Sequence, residues 1–351
     1  MTDDPAPDPS AARRPTMVDV ARAAGVSLKT VSRVANNVPT VSPALVERVH
    51  RAMHELGFQR NNAAAHLRSG RASATIGLII LDLANPFYST IAAAAAEVAQ
   101  RHHTQLITAS SGRDPARERE LALDLCERRV DGLIIVPTGD DQSYLRPEID
   151  RGTPVVFVDR PPTGLDGDTV LIDNRDGARE AVRQLLVEGH RDIGVVTDAL
   201  NTYTMAERVA GATEELLAAG ADPDAHRIEV GTDDPATAGA AVAGMLDAPD
   251  PPSAIFCGNN RILTGAIEEL LRRRSGVRLA GFDDFEFAHL LPYPMTVVGY
   301  DTRALGRLSA ELVFQRGHDS TRALTKYVVA TYLVRRGVDP GLPHEREPRV
   351  G

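Results

Sequence analysis

The sequence predicts an α/β protein in which a small all-α head is joined by a short linker to a body containing two parallel sheets. Two observations carry this. Residues 16–34 place apolar positions at helical spacing around a glycine, and from Thr75 onward continuous apolar runs alternate with helical patterns. Residues 1–14 are expected to form a disordered tail, 15–59 the head, 60–72 the linker, 73–337 the body and 338–351 a flexible tail.

The head is built from TMVDVARAAGVSLKTVSRV. Thr16 is a good N-cap. Val18, Val20, Ala21 and Ala24 are expected to share the buried side of a first helix that ends at Gly25, where a left-handed turn costs little. Val26 fills the turn. Ser27 caps a second helix with Val31 and Val34 facing inward, which leaves Leu28, Lys29, Thr30, Ser32 and Arg33 on the outer side or at the N-terminal end. Small Ala21, turning Gly25 and branched Val31 meet the requirements of a helix-turn-helix, whose second helix enters the DNA major groove. An ordinary helical hairpin is the alternative. Asn36, Asn37 and Pro39 then break the pattern, and Ser42 followed by Pro43 starts a third helix to about Leu56. Its stripe is Val46, Val49, Met53 and Leu56, and Gly57 ends it.

The formal net charge of −9 argues against nucleic acid, but its distribution does not. Residues 11–72 hold ten Lys and Arg against three acids, a surplus of about +7, so the body is strongly acidic. Release of counterions from DNA rewards local positive charge, which suits a DNA-contacting head on a body that avoids phosphate. The linker RNNAAAHLRSG (60–70) is basic and alanine-rich with one large apolar residue, Leu67. It reads equally as a flexible connection or as a segment that folds on DNA and wedges Leu67 between base pairs from the minor groove.

In the body, TIGLIIL (75–81), TQLITAS (104–110), GLIIVP (132–137) and PVVFVD (154–159) read as buried strands. A second set follows: TVLID near Val170, DIGVVT (192–197), RIEVG (227–231), SAIFC (253–257) and VRLAGF (277–282). Two parallel α/β units result, and such sheets bind ligands beyond the carboxyl ends of their strands. After about Tyr300, Leu305, Leu308, Leu312 and Val313 form a helix stripe, followed by one strand-like run, KYVVATYLVRR, from Lys326.

With 351 residues and 43% hydrophobic content the chain can bury a large core. The first ten residues lack the apolar core of a signal peptide, and no run is long enough to span a bilayer, so no membrane role is expected. Two cysteines, Cys126 and Cys257, suit a reducing cytoplasm and are expected to act as buried hydrophobes. The sequence contains no G-x-G-x-x-G, phosphate-binding loop, nucleophile elbow or metal-spaced His or Cys set. No catalytic residue, metal or cofactor is therefore assigned. His102 and His103 are expected to be solvated.

VDVARAAGVSLKTVSRVANN, VSPALVERVHRAMHELGF, NPFYSTI, RRVDGLIIVP, VVFVDR, the DN of IDNRDGA, GHRDIGVVT and GFDD together resemble the lactose-repressor (LacI/GalR) family of bacterial transcription regulators, in order and spacing, from about Thr16 to Arg336. The resemblance implies a homodimer on a near-palindromic operator and a core like the periplasmic sugar-binding proteins that closes on a small effector, with a sugar expected. It implies that Leu28 and Lys29 read bases, with Arg33 further along, while Thr16, Ser27, Thr30 and Ser32 suit phosphates and Asn36 joins the interface. The family's hinge helix matches Asn61 to Leu67, which favours the wedge; Arg60 stands where the family usually has proline. Four-chain assembly is not expected, because the tail after Val338 carries no leucine heptads.

For the effector, the resemblance points to Phe87 and Tyr88 in NPFY, Asp159, Arg208, Asn259 and Asp283. Arg208 matches the family arginine that makes paired hydrogen bonds to ligand, and the aspartates at strand ends would accept from hydroxyls. Phe87 could equally be core. Asn260 stands where the family commonly has aspartate and is expected to cap the next helix; the loop before Val277 is shorter than usual. Arg160 is expected to pair with an acid across the cleft. The subdomains are expected to be about 73–170 plus 301–325 and about 171–300 plus 326–337. The reading is a cytoplasmic, nucleoid-associated, ligand-responsive repressor and not an enzyme; the alternative is a periplasmic-type solute-binding protein without a DNA role.

Overall fold

The structure, a computed structural model, describes residues 15–35, 40–58, 74–139, 141–221, 227–232 and 234–337. Asn36, Asn61, Leu67, the linker and both tails lie outside the described residues. Contacts divide the chain into two units, 1–73 and 74–351.

In the first unit α1 (Met17–Ala24) starts at a capping box in which the Thr16 hydroxyl and the Asp19 backbone and carboxylate satisfy each other. It ends at Gly25, φ 60°, a left-handed conformation that a glycine adopts at little cost. The helix α2 (Leu28–Ala35) begins where the Ser27 hydroxyl accepts from Thr30 N–H at 3.1 Å. Pro43 opens α3 (Pro43–Glu55) with no side-chain cap from Ser42. Val20, Ala21, Ala24, Val31, Val34, Val49 and Ala52 form the shared core, with Val26 packed at its edge. Val18 departs from expectation and is 52% exposed, because it stands two positions before buried Val20 and about 200° of helix rotation turns it outward. Leu56, also expected inside, is the C-cap residue and 37% exposed, and Ala52 takes the inner position.

The second unit contains two six-stranded sheets of matching order. The first runs β2 (Gln105–Ser110), β1 (Thr75–Ile80), β3 (Leu133–Ile135), β4 (Val155–Val158), β5 (Asp168–Ile172), β11 (Lys326–Val329), all parallel. The second runs β7 (Ile228–Val230), β6 (Ile193–Thr197), β8 (Ala254–Cys257), β9 (Arg278–Phe282), β10 (Met295–Tyr300), β12 (Thr331–Arg336), with β12 alone antiparallel. Central strands are buried on both faces. The edge strands β2 and β7 are not, since each has a neighbour on one side only.

Two expectations about the strands fail for one reason, pairing across long sequence separations. TVLID is not part of the second set: β5 pairs with β4 in the first sheet, and Asp168 takes a bidentate ion pair at 2.9 and 3.0 Å from Arg316 of that same lobe. KYVVATYLVRR is two strands broken at Ala330, β11 on β5 and β12 on β10. The chain therefore crosses between lobes at Asp173, Asp301 and Ala330, and the first lobe keeps residues 171–172 and 326–329 that were expected in the second.

Asp173 and Asp301 each cap the helix entered at their crossing, α7 (Asn174–Val187) and α11 (Thr302–His318). The other helices are α4 (Pro86–Arg101), α5 (Pro115–Glu127), α6 (Arg146–Asp150), α8 (Tyr203–Ala218), α9 (Pro235–Leu246) and α10 (Asn260–Arg273). Backbones of neighbouring helices meet at glycine. A Cβ on Gly306 of α11 would lie 2.2 Å from the Ile91 carbonyl oxygen of α4. Replacing Gly306 by alanine forces this pair apart, so urea denaturation is expected to show a loss of about 1–3 kcal/mol; an unchanged midpoint would mean the two helices are free to separate.

Candidate functional site

In the head, Ser27 just before α2 and Leu28, Lys29 and Arg33 on it are exposed and Thr30 and Ser32 half-exposed, while Val31 and Val34 hold the opposite face in the core. Leu28, 48% exposed, is a large apolar side chain at the helix start with water on its outer side. The hydroxyls expected to touch phosphate have local partners: Thr16 is held in its capping box, and Ser27 and Thr30 bond each other at 2.9 Å. Arg33 donates to Thr40 beyond the helix. Lys29 projects from a helix whose first turn contains no acid, so its charge is the dominant one there.

In the second unit the cleft lies at the carboxyl ends of both sheets. Matching strand order puts Asp159 after β4 and Asp283 after β9 in equivalent places, and both adopt φ 71°. Left-handed backbone is uncommon outside glycine and best tolerated by Asp and Asn, and here it turns both side chains toward the cleft. Asp159 N–H reaches the Val170 carbonyl and Asp283 N–H the Val298 carbonyl, which fixes each bend to the next strand.

Arg208 on α8 is the centre of the second wall and only 3% exposed. Its Nε donates to Asn174 Oδ1 at 2.8 Å and its Nη1 to the Gly258 carbonyl at 2.7 Å. Nη1 and Nη2 form a fork on the Asp283 carboxylate at 3.3 and 3.2 Å, and the guanidinium lies 3.7 Å over the Phe282 ring. Asp283 also accepts from Tyr300 OH at 2.7 Å. Arg208 and Asp283, expected to bind ligand separately, thus bind each other, and a ligand meets them as one unit.

Asn259 is the N-cap of α10, with Oδ1 accepting from Arg261 and Ile262 N–H. Asn260, expected to cap, is already the first helical residue; its Nδ2 donates to Asn85 Oδ1 across the cleft at 3.1 Å. Arg160 pairs with adjacent Asp159 at 3.3 Å and donates to the Pro137 carbonyl, both on its own lobe, which corrects the expected cross-cleft pair. Among the described residues the ion pairs that do cross are Arg113–Asp198 at 2.8 Å and Arg261–Asp82 at 3.4 Å. Sequence reading missed these four residues, Tyr300 and the anchoring role of Asn174, since each depends on partners distant in the chain.

Phe87 both packs and lines the cleft: it meets Tyr88 edge-on at 4.8 Å and Tyr300 at 6.2 Å. Tyr88 is buried beneath it. Burial raises the phenols of Tyr88 and Tyr300, with the Asp159 charge adding at Tyr88 and the Asp283 charge at Tyr300, so both remain hydrogen-bond donors. Four arginines and four aspartates line the polar cavity, whose volume is about 60 Å³, and their charges cancel. A chamber of about 580 Å³ adjoins it.

Among the described residues no helix is long and apolar enough to cross a membrane, and no three metal-ligating side chains are grouped to hold an ion. Cys257 is buried in β8; Cys126 is half-buried, and burial pushes its thiol up to about 11. His102 is exposed, with its ring stacked 3.8 Å from that of Phe314.

Burial raises the Asp159 carboxyl above its ordinary range, against the opposing pull of Arg160 and Arg208. A carboxyl raised in the folded state contributes stability below its unfolded pKa and loses it as pH rises through the folded value. Asp159→Asn is therefore expected to exceed the natural protein in stability near about pH 8 and to lose that advantage toward about pH 4, measured by urea denaturation. A difference independent of pH would contradict the assignment.

Residues 73–331 match the periplasmic binding proteins and sugar binding domain of the LacI family, and residues 16–61 match the bacterial regulatory proteins of the lacI family. The maltose regulon regulatory protein MalI of Escherichia coli K12 is 32% identical over 340 residues, 93% of this chain and 99% of its own. Among solved structures, a complex of the transcriptional regulator CelR with cellobiose is 30% identical, with TM-score 0.68 over 93% of this chain and 100% of that one. The lac repressor dimer bound to operator and the anti-inducer ONPF is 26% identical, with TM-score 0.79 over 92% and 99%. A match that includes the head sets aside a solute-binding protein without a DNA role. The chain belongs to the LacI family of bacterial regulatory proteins: it is a ligand-responsive, DNA-binding transcription regulator and not an enzyme.

Proposed function

We propose that this regulator is a repressor that binds a near-palindromic operator as a homodimer through α2 and is released when a neutral, hydroxyl-rich effector, a sugar, enters the cleft. The observation that carries the proposal is that three polar contacts, Arg113–Asp198, Arg261–Asp82 and Asn260–Asn85, join the two cleft walls. A ligand that replaces them with its own hydroxyls changes the free energy of lobe closure, which is the differential interaction an effector needs to shift a population. The balance of Arg and Asp around the polar cavity disfavours an ionic ligand and suits hydroxyls that both donate and accept. CelR, a relative, is known in complex with cellobiose, and the lac repressor as a dimer on operator.

In this reading Leu28 and Lys29 contact bases, Arg33 lies further along the groove, and Thr16, Ser27, Thr30, Ser32 and Asn36 serve the sugar-phosphate edge. Closure is passed to the head through residues 60–72, with Asn61 and Leu67 engaging DNA. A reader of chromosomal DNA works in the cytoplasm, and association with the nucleoid belongs to the same proposal.

The test is anisotropy of labelled duplexes, first selected from random sequence with the full-length protein, then titrated with and without sugars. A sugar that weakens operator binding by about tenfold supports the reading; a grip equal on every duplex and unmoved by any sugar sinks it. Lys29→Ala is expected to change preference at one base pair by about 1–3 kcal/mol and leave effector affinity unchanged, whereas uniform weakening on all duplexes would limit Lys29 to phosphate. Arg208→Ala should remove effector binding in calorimetry and lower the melting temperature, because Asp283 is left as an unpaired, largely buried charge; Arg208→Lys should restore much of the stability but not the affinity.

A further inference from the structure

Of the 39 lysines and arginines in the chain, 37 are arginine and two, Lys29 and Lys326, are lysine. The two residue types carry the same charge but differ in reactivity. A guanidinium stays protonated and is a poor nucleophile, whereas a lysine amine accepts an acyl group and loses its charge in doing so. The first unit, 1–73, contains one lysine, and it is Lys29 on the exposed face of α2. Other basic side chains of the head are engaged: Arg22 pairs with Asp19 at 3.6 Å, Arg51 pairs with Glu47 at 3.7 Å, and Arg33 donates to Thr40. Among the described residues nothing pairs with Lys29, and the first turn of its helix has no acid. Its amine is open to a reagent from solvent.

We propose that Lys29 is an acylation site, where an acetyl group transferred from an acyl phosphate or acyl thioester turns operator binding off. In this step the Nζ lone pair attacks the acyl carbonyl carbon and an amide C–N bond forms. The C–O bond to phosphate, or the C–S bond to the thiol, breaks with its electron pair on the leaving group, and the amine proton passes to water. Nothing is oxidised or reduced. The product keeps a single N–H donor and no charge, at a position where a guanine edge or a phosphate rewards a cation. The 37 arginines are untouched by the same donors, so the loss of side-chain charge in the head is confined to the helix that reads DNA. The inference rests on the reading of Lys29 as a DNA contact and adds its regulation. Lys326, exposed on the edge strand β11 of the second unit, has no place in that contact and provides an internal comparison.

The test incubates full-length protein with acetyl phosphate or, in parallel, with acetyl-coenzyme A, maps the modified lysines by peptide mass spectrometry, and titrates the selected duplex by anisotropy. Acetylation of Lys29 is expected, with operator affinity falling at least about tenfold at full modification and the melting temperature unchanged. Whichever donor fills the site identifies the source of the acyl group. Lys326→Arg should bind operator as the natural protein does and lose that binding equally on treatment. Lys29→Arg, compared with itself before and after treatment on a duplex it selects, should lose nothing, and Lys29→Gln should reproduce most of the loss without any reagent. An absence of acetyl from Lys29 with both donors would overturn the proposal, as would an acetylated Lys29 that still grips operator fully or a Lys29→Arg protein inactivated by treatment. In each of those cases the base-reading assignment survives if Lys29→Ala still alters preference. A Lys29→Ala protein indistinguishable from the natural one on every duplex would end that assignment and the acylation switch together.

Discussion

The guanidinium of Arg208 is the point on which the second lobe converges. It takes a carboxylate from the end of β9, a carbonyl from the end of β8, an amide from α7 and an aromatic face from Phe282, and the carboxylate in turn holds Tyr300 at the end of β10. A buried charge is tolerable only when its hydrogen-bonding capacity is met, and four of the five N–H groups are accounted for. The cost of leaving it unpaired fixes the relative positions of five elements more tightly than apolar packing alone would. A rigid wall against which a ligand can be measured follows from that.

The opposite wall is built by the same topology with different chemistry. Asp159 occupies the place of Asp283 and shares its left-handed backbone, but its partner is the neighbouring Arg160 rather than an arginine on a distant helix. One wall is therefore organised by long-range pairing and the other locally. Their meeting is polar: Arg113, Arg261 and Asn260 reach partners on the facing lobe, and two of these contacts involve side chains that keep substantial exposure to water. Partly exposed ion pairs contribute little individually, so closure is a balance that a modest binding energy can shift. A wall of high stability and a closure of low stability are the two properties a ligand-controlled switch requires.

Most of the local architecture was legible in the sequence because it is local. Thr16, Gly25 and Ser27 mark helix ends through bonds to residues at most four positions away, and the apolar runs of the central strands identify themselves whatever they pair with. Val18 misled because a short helix offers few residues from which to fix its phase. Pairing was not legible. The strand β5 has the same texture in either sheet, and only its ladder with β4 and β11 assigns it; likewise nothing in KYVVATYLVRR announces that Ala330 divides two lobes.

The candidate cleft shows the same division. The family resemblance singled out Arg208 and Asp283 as residues, but their union spans 75 positions, and the bridges Arg113–Asp198, Asn260–Asn85 and Arg261–Asp82 span 85, 175 and 179. By itself the sequence determined where helices and strands form, which unit carries positive charge, and which side chains could meet DNA or a ligand. Tertiary structure alone decided which acid neutralises which arginine, because that depends on chain crossings at Asp173, Asp301 and Ala330 that bring remote strand ends to a common edge, and Coulomb attraction acts through space rather than along the chain.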